Sequence, residues 1–164
     1  VLDRAHAAAA EENEPALAAV DAELDAWKLA AETRAASRQL GSRRLALVRK
    51  LAPPPFVERD AAGGHAGHRM VVCALELREA PAEAAAAAFA YQTLSGPAYA
   101  AMKLMRLGQE RAQTLVRAAF LRLLEQKSSQ AATAGAARRV GWFNPVLEIA
   151  SLRHARARER LFIS

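Results

Sequence analysis

Few residues in this sequence have the types and spacings that chemistry demands. His65 and His68 lie three apart, which on a helix would let both rings reach one ion, but Gly63, Gly64 and Gly67 oppose a helix there. No carboxylate or cysteine stands at ligand spacing beside them, so no metal site is expected. Cys73 is the only cysteine and sits in the apolar run Val71 to Leu75, where a buried, inert thiol is the default. A single cysteine makes no internal disulfide and no cysteine cage for zinc. Gly63-Gly64 lacks the lysine of a phosphate-binding loop, no GxGxxG occurs, and no GxSxG turn presents a serine nucleophile. Catalytic residues are therefore none, and the chain is not expected to be an enzyme. Arg138 and Arg139 with Trp142 and Phe143 form the one basic-aromatic cluster, which reads as a loop anchored by two rings.

The elements that carry these residues read as helices. Of 164 residues, 52% are apolar and 42 are alanine, the residue that costs least in a helix, while aromatics make up 5%. This excludes a β-sandwich or barrel and favours closely approaching helices. The longest low-charge stretch, Ala84 to Met102, is mostly alanine and is interrupted by Ser95-Gly96-Pro97, so it is a poor membrane span. The sequence opens on Val1 with an acidic stretch and shows no signal peptide; the expected location is cytoplasmic.

Between Pro15 and Pro53 there is room for one kinked helix or two. Leu17, Val20, Leu24, Trp27 and Ala31 fall on one stripe, and Leu40, Leu47 and Leu51 recur on a second segment with Arg38, Arg43, Arg44 and Arg49 mostly off the stripe. Pro53-Pro54-Pro55 ends this region, and Asp60 to Gly67 reads as an exposed loop. His68 to Leu77 is apolar and is assigned to helix by its alanine-rich flanks. Pro81 suits the first turn of a helix reaching about Leu94, and Ser95-Gly96-Pro97 reads as the start of another, ending near Leu107. Gly108 separates it from a helix over Glu110 to Gln126, with Val116, Phe120, Leu123 and Leu124 on the apolar face and Tyr91 and Phe120 in the core. Lys127 to Val140 reads as a loop, and Asn144-Pro145 starts a C-terminal helix. The expected architecture is a single-domain, all-α antiparallel bundle of six to eight helices over residues 1–164, with flexible loops near 53–67 and 127–141.

The net charge of +6 is unevenly spread. Residues 1–32 sum to −6, residues 33–60 to +5, and residues 103–139 to +6. Such basic blocks attract nucleic acid, anionic membranes or acidic proteins, and they also occur as solvated helix faces.

The most specific string lies at the end: Phe143-Asn144-Pro145-Val146-Leu147-Glu148-Ile149-Ala150-Ser151-Leu152-Arg153-His154, then Arg160-Leu161-Phe162-Ile163-Ser164. It resembles the terminal motif of the UreF family of urease accessory proteins. Glu32-Thr33-Arg34-Ala35-Ala36-Ser37 with Leu40-Gly41 resembles that family's Glu-x-Arg-x-Ala-Ser helix, and Leu107, Gly108, Gln109 and Gln113 fall in register with its Leu-Gly-Gln segment. The resemblance runs from about Ala22 to Ser164. Val1 to Ala19 does not resemble the family's N-terminal segment, so the chain reads as a fragment or divergent member.

The resemblance implies an all-α maturation factor without catalysis. It would dimerise, bind UreD (also called UreH), and with it recruit the GTPase UreG to deliver nickel to apo-urease. Nickel would be handled by the complex, with no cofactor stably bound to this chain and no nucleic acid or membrane partner. Arg153, His154, Arg160, Leu161, Phe162 and Ser164 are the partner-binding candidates. Glu32, Arg34, Ser37, Gly108 and Gln109 are the candidates for positioning helices. The alternatives are a basic helical nucleic-acid binder and a generic interaction domain; a last helix without contact to the Glu32–Leu51 segment would mark the terminal match as accidental.

Overall fold

Alanine-rich segments punctuated by prolines and glycines fold here as helix after helix. The computed structural model describes residues 1–51, 55–63, 67–133, 145–154 and 156. Among these the elements are α1 (Leu2–Ala10), α2 (Glu14–Trp27), α3 (Ala31–Lys50), α4 (Pro55–Ala62), α5 (Arg69–Glu76), α6 (Ala82–Leu104), α7 (Gln109–Thr133) and α8 (Pro145–His154), with no strand. They divide into two units, one over residues 1–85 and 141–164 and the other over residues 86–140.

The core of the first unit gathers around α5. Val71 to Leu75 are all buried, so this two-turn helix is apolar all round and must be covered on every side. α1, α2 and α3 each pack on it. Ala5, Ala8 and Ala9 let α1 come close, while Leu17, Val20 and Leu24 of α2 and Phe56 and Val57 of α4 fill the remaining volume. Asn13 opens α2 by accepting from Ala16 N at 3.1 Å, with Pro15 in the first turn. His6 of α1 closes the end of α5, its Nε2 donating to the Leu77 carbonyl at 3.1 Å. Cys73, on the same helix, is also buried, and burial pushes its thiol above the ordinary value.

α3 reaches the core through a glycine. A Cβ on Gly41 would stand 1.9 Å from the Gly67 carbonyl oxygen and 2.9 Å from Arg69 N, so only a bare Cα permits α3 to cross the entry to α5. Gly67 itself turns the chain at φ +65°. This crossing decides which way α3 faces. Leu45 and Val48, on the Gly41 side, pack on the core, whereas Leu40, Leu47 and Leu51 are 47%, 57% and 71% exposed. The leucine stripe legible in the sequence therefore points outward, because close backbone approach and not leucine packing orients the helix.

Several boundaries differ from the sequence reading. The expected loop near 53–67 holds α4, with Pro55 as its first residue, and Asp60 is 2% exposed. Residues 52–54 and 64–66 lie outside the described residues. Ser95-Gly96-Pro97 does not break α6: Pro97 sits inside the helix on an exposed turn, where the carbonyl left without a partner can face solvent, and Ser95 Oγ donates back to the Tyr91 carbonyl at 2.8 Å. α7 runs on to Thr133 through the stretch from Lys127 that reads as a loop, since Ser, Gln and Ala extend an established helix readily; residues 134–141 of that expected loop are outside the described residues. In the second unit Ala112 and Val116 are buried, but Tyr91, Leu123 and Leu124 are exposed, so the core expected there is thinner than its apolar pattern suggests.

Substituting Gly41→Ala forces the α3 and α5 backbones apart. The expected loss is about 1–3 kcal/mol or more, read as a lower urea midpoint with helicity retained.

Candidate functional site

α8 rests on the N-terminus of α3, which is where the terminal motif and the Glu-x-Arg-x-Ala-Ser motif meet. His154, in the last turn of α8, stands with Nδ1 2.8 Å from Glu32 Oε2 in the first turn of α3. The Glu32 carboxylate sits at the helix end whose dipole favours a negative charge. Nearly two turns earlier, in the first turn of α8, Glu148 is buried, and its Oε2 accepts from Ala30 N at 3.3 Å. Ala30 offers α3 no side-chain cap, so the carboxylate arriving from α8 serves the start of that helix. Partial burial lowers the Lys28 ammonium below its ordinary value, and the charge of Glu148 partly restores it. Apart from Arg153, the outward residues of α8 are mostly apolar: Val146, Leu147, Ile149 and Leu152 are exposed. The helix thus turns its acid inward and its hydrocarbon outward, a pattern suited to a covering partner.

The other named residues divide. Arg34 lays its guanidinium on the end of α2, donating to the Lys28 carbonyl from Nε at 3.1 Å and from Nη2 at 2.9 Å. Ser37 Oγ meets His68 Nδ1 at 3.0 Å, joining α3 to the entry of α5. Arg153 is exposed on α8, while Arg160, Leu161, Phe162 and Ser164 lie outside the described residues. Gly108 accepts from Ala112 N at 3.0 Å at the head of α7, and a Cβ there would meet nothing within 4 Å. Gln109 is exposed. One turn on, Gln113 Nε2 donates to Tyr99 OH at 2.9 Å and its Oε1 accepts from Tyr91 OH at 3.4 Å. Tyr91 also meets Phe120 edge to face, with centroids 6.0 Å apart, beside an open cleft of about 450 Å³ lined by Glu110, Gln113, Thr114 and Arg117.

A polar centre that the sequence reading missed lies under α3. Asp21, 1% exposed on α2, accepts from Gly67 N at 2.8 Å and from His68 N at 2.7 Å. His68 is wholly buried, and its Nε2 stands 3.0 Å from Asp25 Oδ1, which also pairs with Arg38. Partial burial opposes the charge on Asp25, but the hydrogen bonds from Arg38 and His68 and the charges of Arg38 and Arg34 outweigh it and hold the carboxyl below its ordinary value. Ser37, His68 and Asp25 form a hydroxyl, imidazole and carboxylate chain of the residue types used in nucleophilic catalysis. Here both ring nitrogens are engaged on a fully buried ring, so the chain joins α2, α3 and α5 and offers no free ligand to a metal. Among the described residues no group of three or more His, Cys, Asp or Glu is placed to hold an ion. The available signal was the Asp21 and Asp25 pair, one turn apart beside Leu24 on the inward side of α2.

These features define an all-α protein whose ionisable side chains join helices and whose last helix presents hydrocarbon to solvent. The chain belongs to the UreF family, whose model matches residues 1–120. That match takes in Val1 to Ala19, which the sequence reading set apart, and it stops short of α8. Among curated proteins, the urease accessory protein UreF of Paenarthrobacter aurescens (strain TC1) is 29% identical over 156 residues, covering 88% of this chain and 67% of its own length. No solved structure matches.

Two outcomes follow for the buried centre. Asp21→Ala leaves the Gly67 and His68 N–H groups without their acceptor, at a cost of ~1–3 kcal/mol for each buried orphan, read from urea unfolding. Because the folded carboxyl of Asp25 lies below 3.8, its contribution to stability is complete above that pH and disappears as pH falls through the lower folded value. Asp25→Asn removes that component, so the unfolding midpoint of the variant falls less steeply than that of the parent on acidification below 3.8.

Proposed function

We propose that this chain acts in urease maturation as a helical scaffold. It binds a UreD (UreH) homologue, and the pair recruits the GTPase UreG, whose activity it regulates while nickel passes to apo-urease. Nickel is cargo of the assembly, and this chain holds no cofactor and performs no catalysis. The protein works as a homodimer in the cytoplasm. Family membership carries this reading, and the clasp of α8 on α3 supports it, since it joins two of the three motifs through Glu32 and His154. No helix among the described residues is long and apolar enough to cross a membrane.

A nucleic-acid reading of the block over residues 33–60 is less well supported. Arg38, Arg44, Arg49 and Arg59 of that block pair with Asp25, Glu76, Glu58 and Glu12, so much of its charge is answered within the protein.

Size-exclusion chromatography with light scattering tests the proposal, using this chain mixed with UreD and UreG homologues from the same source. The expected result is a stable complex that is lost on deletion of Arg153 to Ser164. Absence of a complex with the undeleted chain overturns the role, and a complex that survives the deletion removes the terminal motif from the interface.

A further inference from the structure

We propose that the outward face of α3 is a docking surface for an acidic amphipathic helix of a partner protein. It rests on the scaffold role proposed above and assigns a surface and a partner chemistry to it. Leu40 and Arg43 recur seven residues later as Leu47 and Lys50, and Leu51 extends the leucine row. Seven residues are two helical turns, about 10.5 Å, so the repeat draws a straight apolar seam with a basic flank. All five side chains are exposed.

The basic residues of α3 fall into two sets. Arg34 is held by the Lys28 carbonyl, and Arg38, Arg44 and Arg49 pair with Asp25, Glu76 and Glu58. Arg43 and Lys50 make no ion pair among the described residues, and they are the two that repeat beside the exposed leucines. The one acid of α3, Glu32, lies at its other end, engaged with His154. A helix bearing a leucine-type row flanked by carboxylates complements this face in both hydrocarbon and charge. A second copy of the same face does not, because two-fold pairing sets Arg43 and Lys50 against their own kind. Phosphate-rich ligands leave the leucines uncovered.

The test titrates the full chain against immobilised UreD and UreG homologues, comparing it with Leu40→Glu/Leu47→Glu and Arg43→Glu/Lys50→Glu. Both variants alter exposed positions, and circular dichroism with the unfolding midpoint verifies that the fold is kept. The expected result is a rise in Kd of about tenfold or more for one partner with each variant, and a weaker salt dependence for the charge-reversed one. Binding of both variants like the parent overturns the assignment. So does a change confined to oligomer size, to retention on phosphatidylglycerol vesicles, or to binding of a DNA duplex. A parent chain that binds neither homologue removes the scaffold role, and this surface with it.

Discussion

A buried carboxylate holds the first unit together. Asp21 takes the N–H groups of Gly67 and His68 as the chain turns into α5, and that turn is where α3 crosses with no side chain between the backbones. Burying a carboxylate is costly unless its lone pairs are filled, and two backbone donors at hydrogen-bond distance do this while fixing the turn. With the turn fixed, His68 is placed between Ser37 and Asp25, and the apolar α5 descends into the core. Asp21, Gly41 and His68 are consequences of one another. The glycine allows the approach, the aspartate satisfies the approached backbone, and the histidine fills the space beside it.

α8 extends the same logic to the outside of the unit. A short helix with exposed apolar residues has little reason to stay on a protein, and here it stays by polar means, through Glu148 at the head of α3 and His154 on Glu32. Polar anchoring leaves the hydrocarbon of Val146, Ile149 and Leu152 uncommitted. The same division appears on α3, where most arginines are answered within the protein and the leucine row is left outside.

The all-α class was legible because alanine content and the absence of β-rich segments left no other architecture, and the stripe Leu17, Val20, Leu24 was legible because helical spacing of large side chains marks a buried face directly. The orientation of α3 was not, because the cue that sets it is the missing side chain of Gly41, and a glycine in a helix reads equally well as a break. Asp60 and α4 were hidden by the glycines that follow, and the continuity of α6 by a proline that ordinarily ends a helix. Of the site, Glu32, Arg34 and Ser37 were read as tying the first two helices; Arg34 reaches the end of α2, while Glu32 meets His154 of α8 and Ser37 meets His68, partners from distant segments that periodicity does not name. Asp21 was missed, and His68 was weighed only as a metal ligand, because buried polar groups have no periodicity of their own. Gln113, which bonds both Tyr99 and Tyr91, was seen only as part of a motif.

The burial of Cys73 bears on how readily this protein captures metal ions. Thiolates are the side chains most apt to capture a soft or borderline transition metal, and capture requires a deprotonated sulfur within reach of the ion. The only thiol of this sequence is sealed inside the α5 core and held in its protonated form by burial. A transition-metal ion passing this protein therefore meets no accessible thiolate, and the chain's one thiol does not become a sink for it.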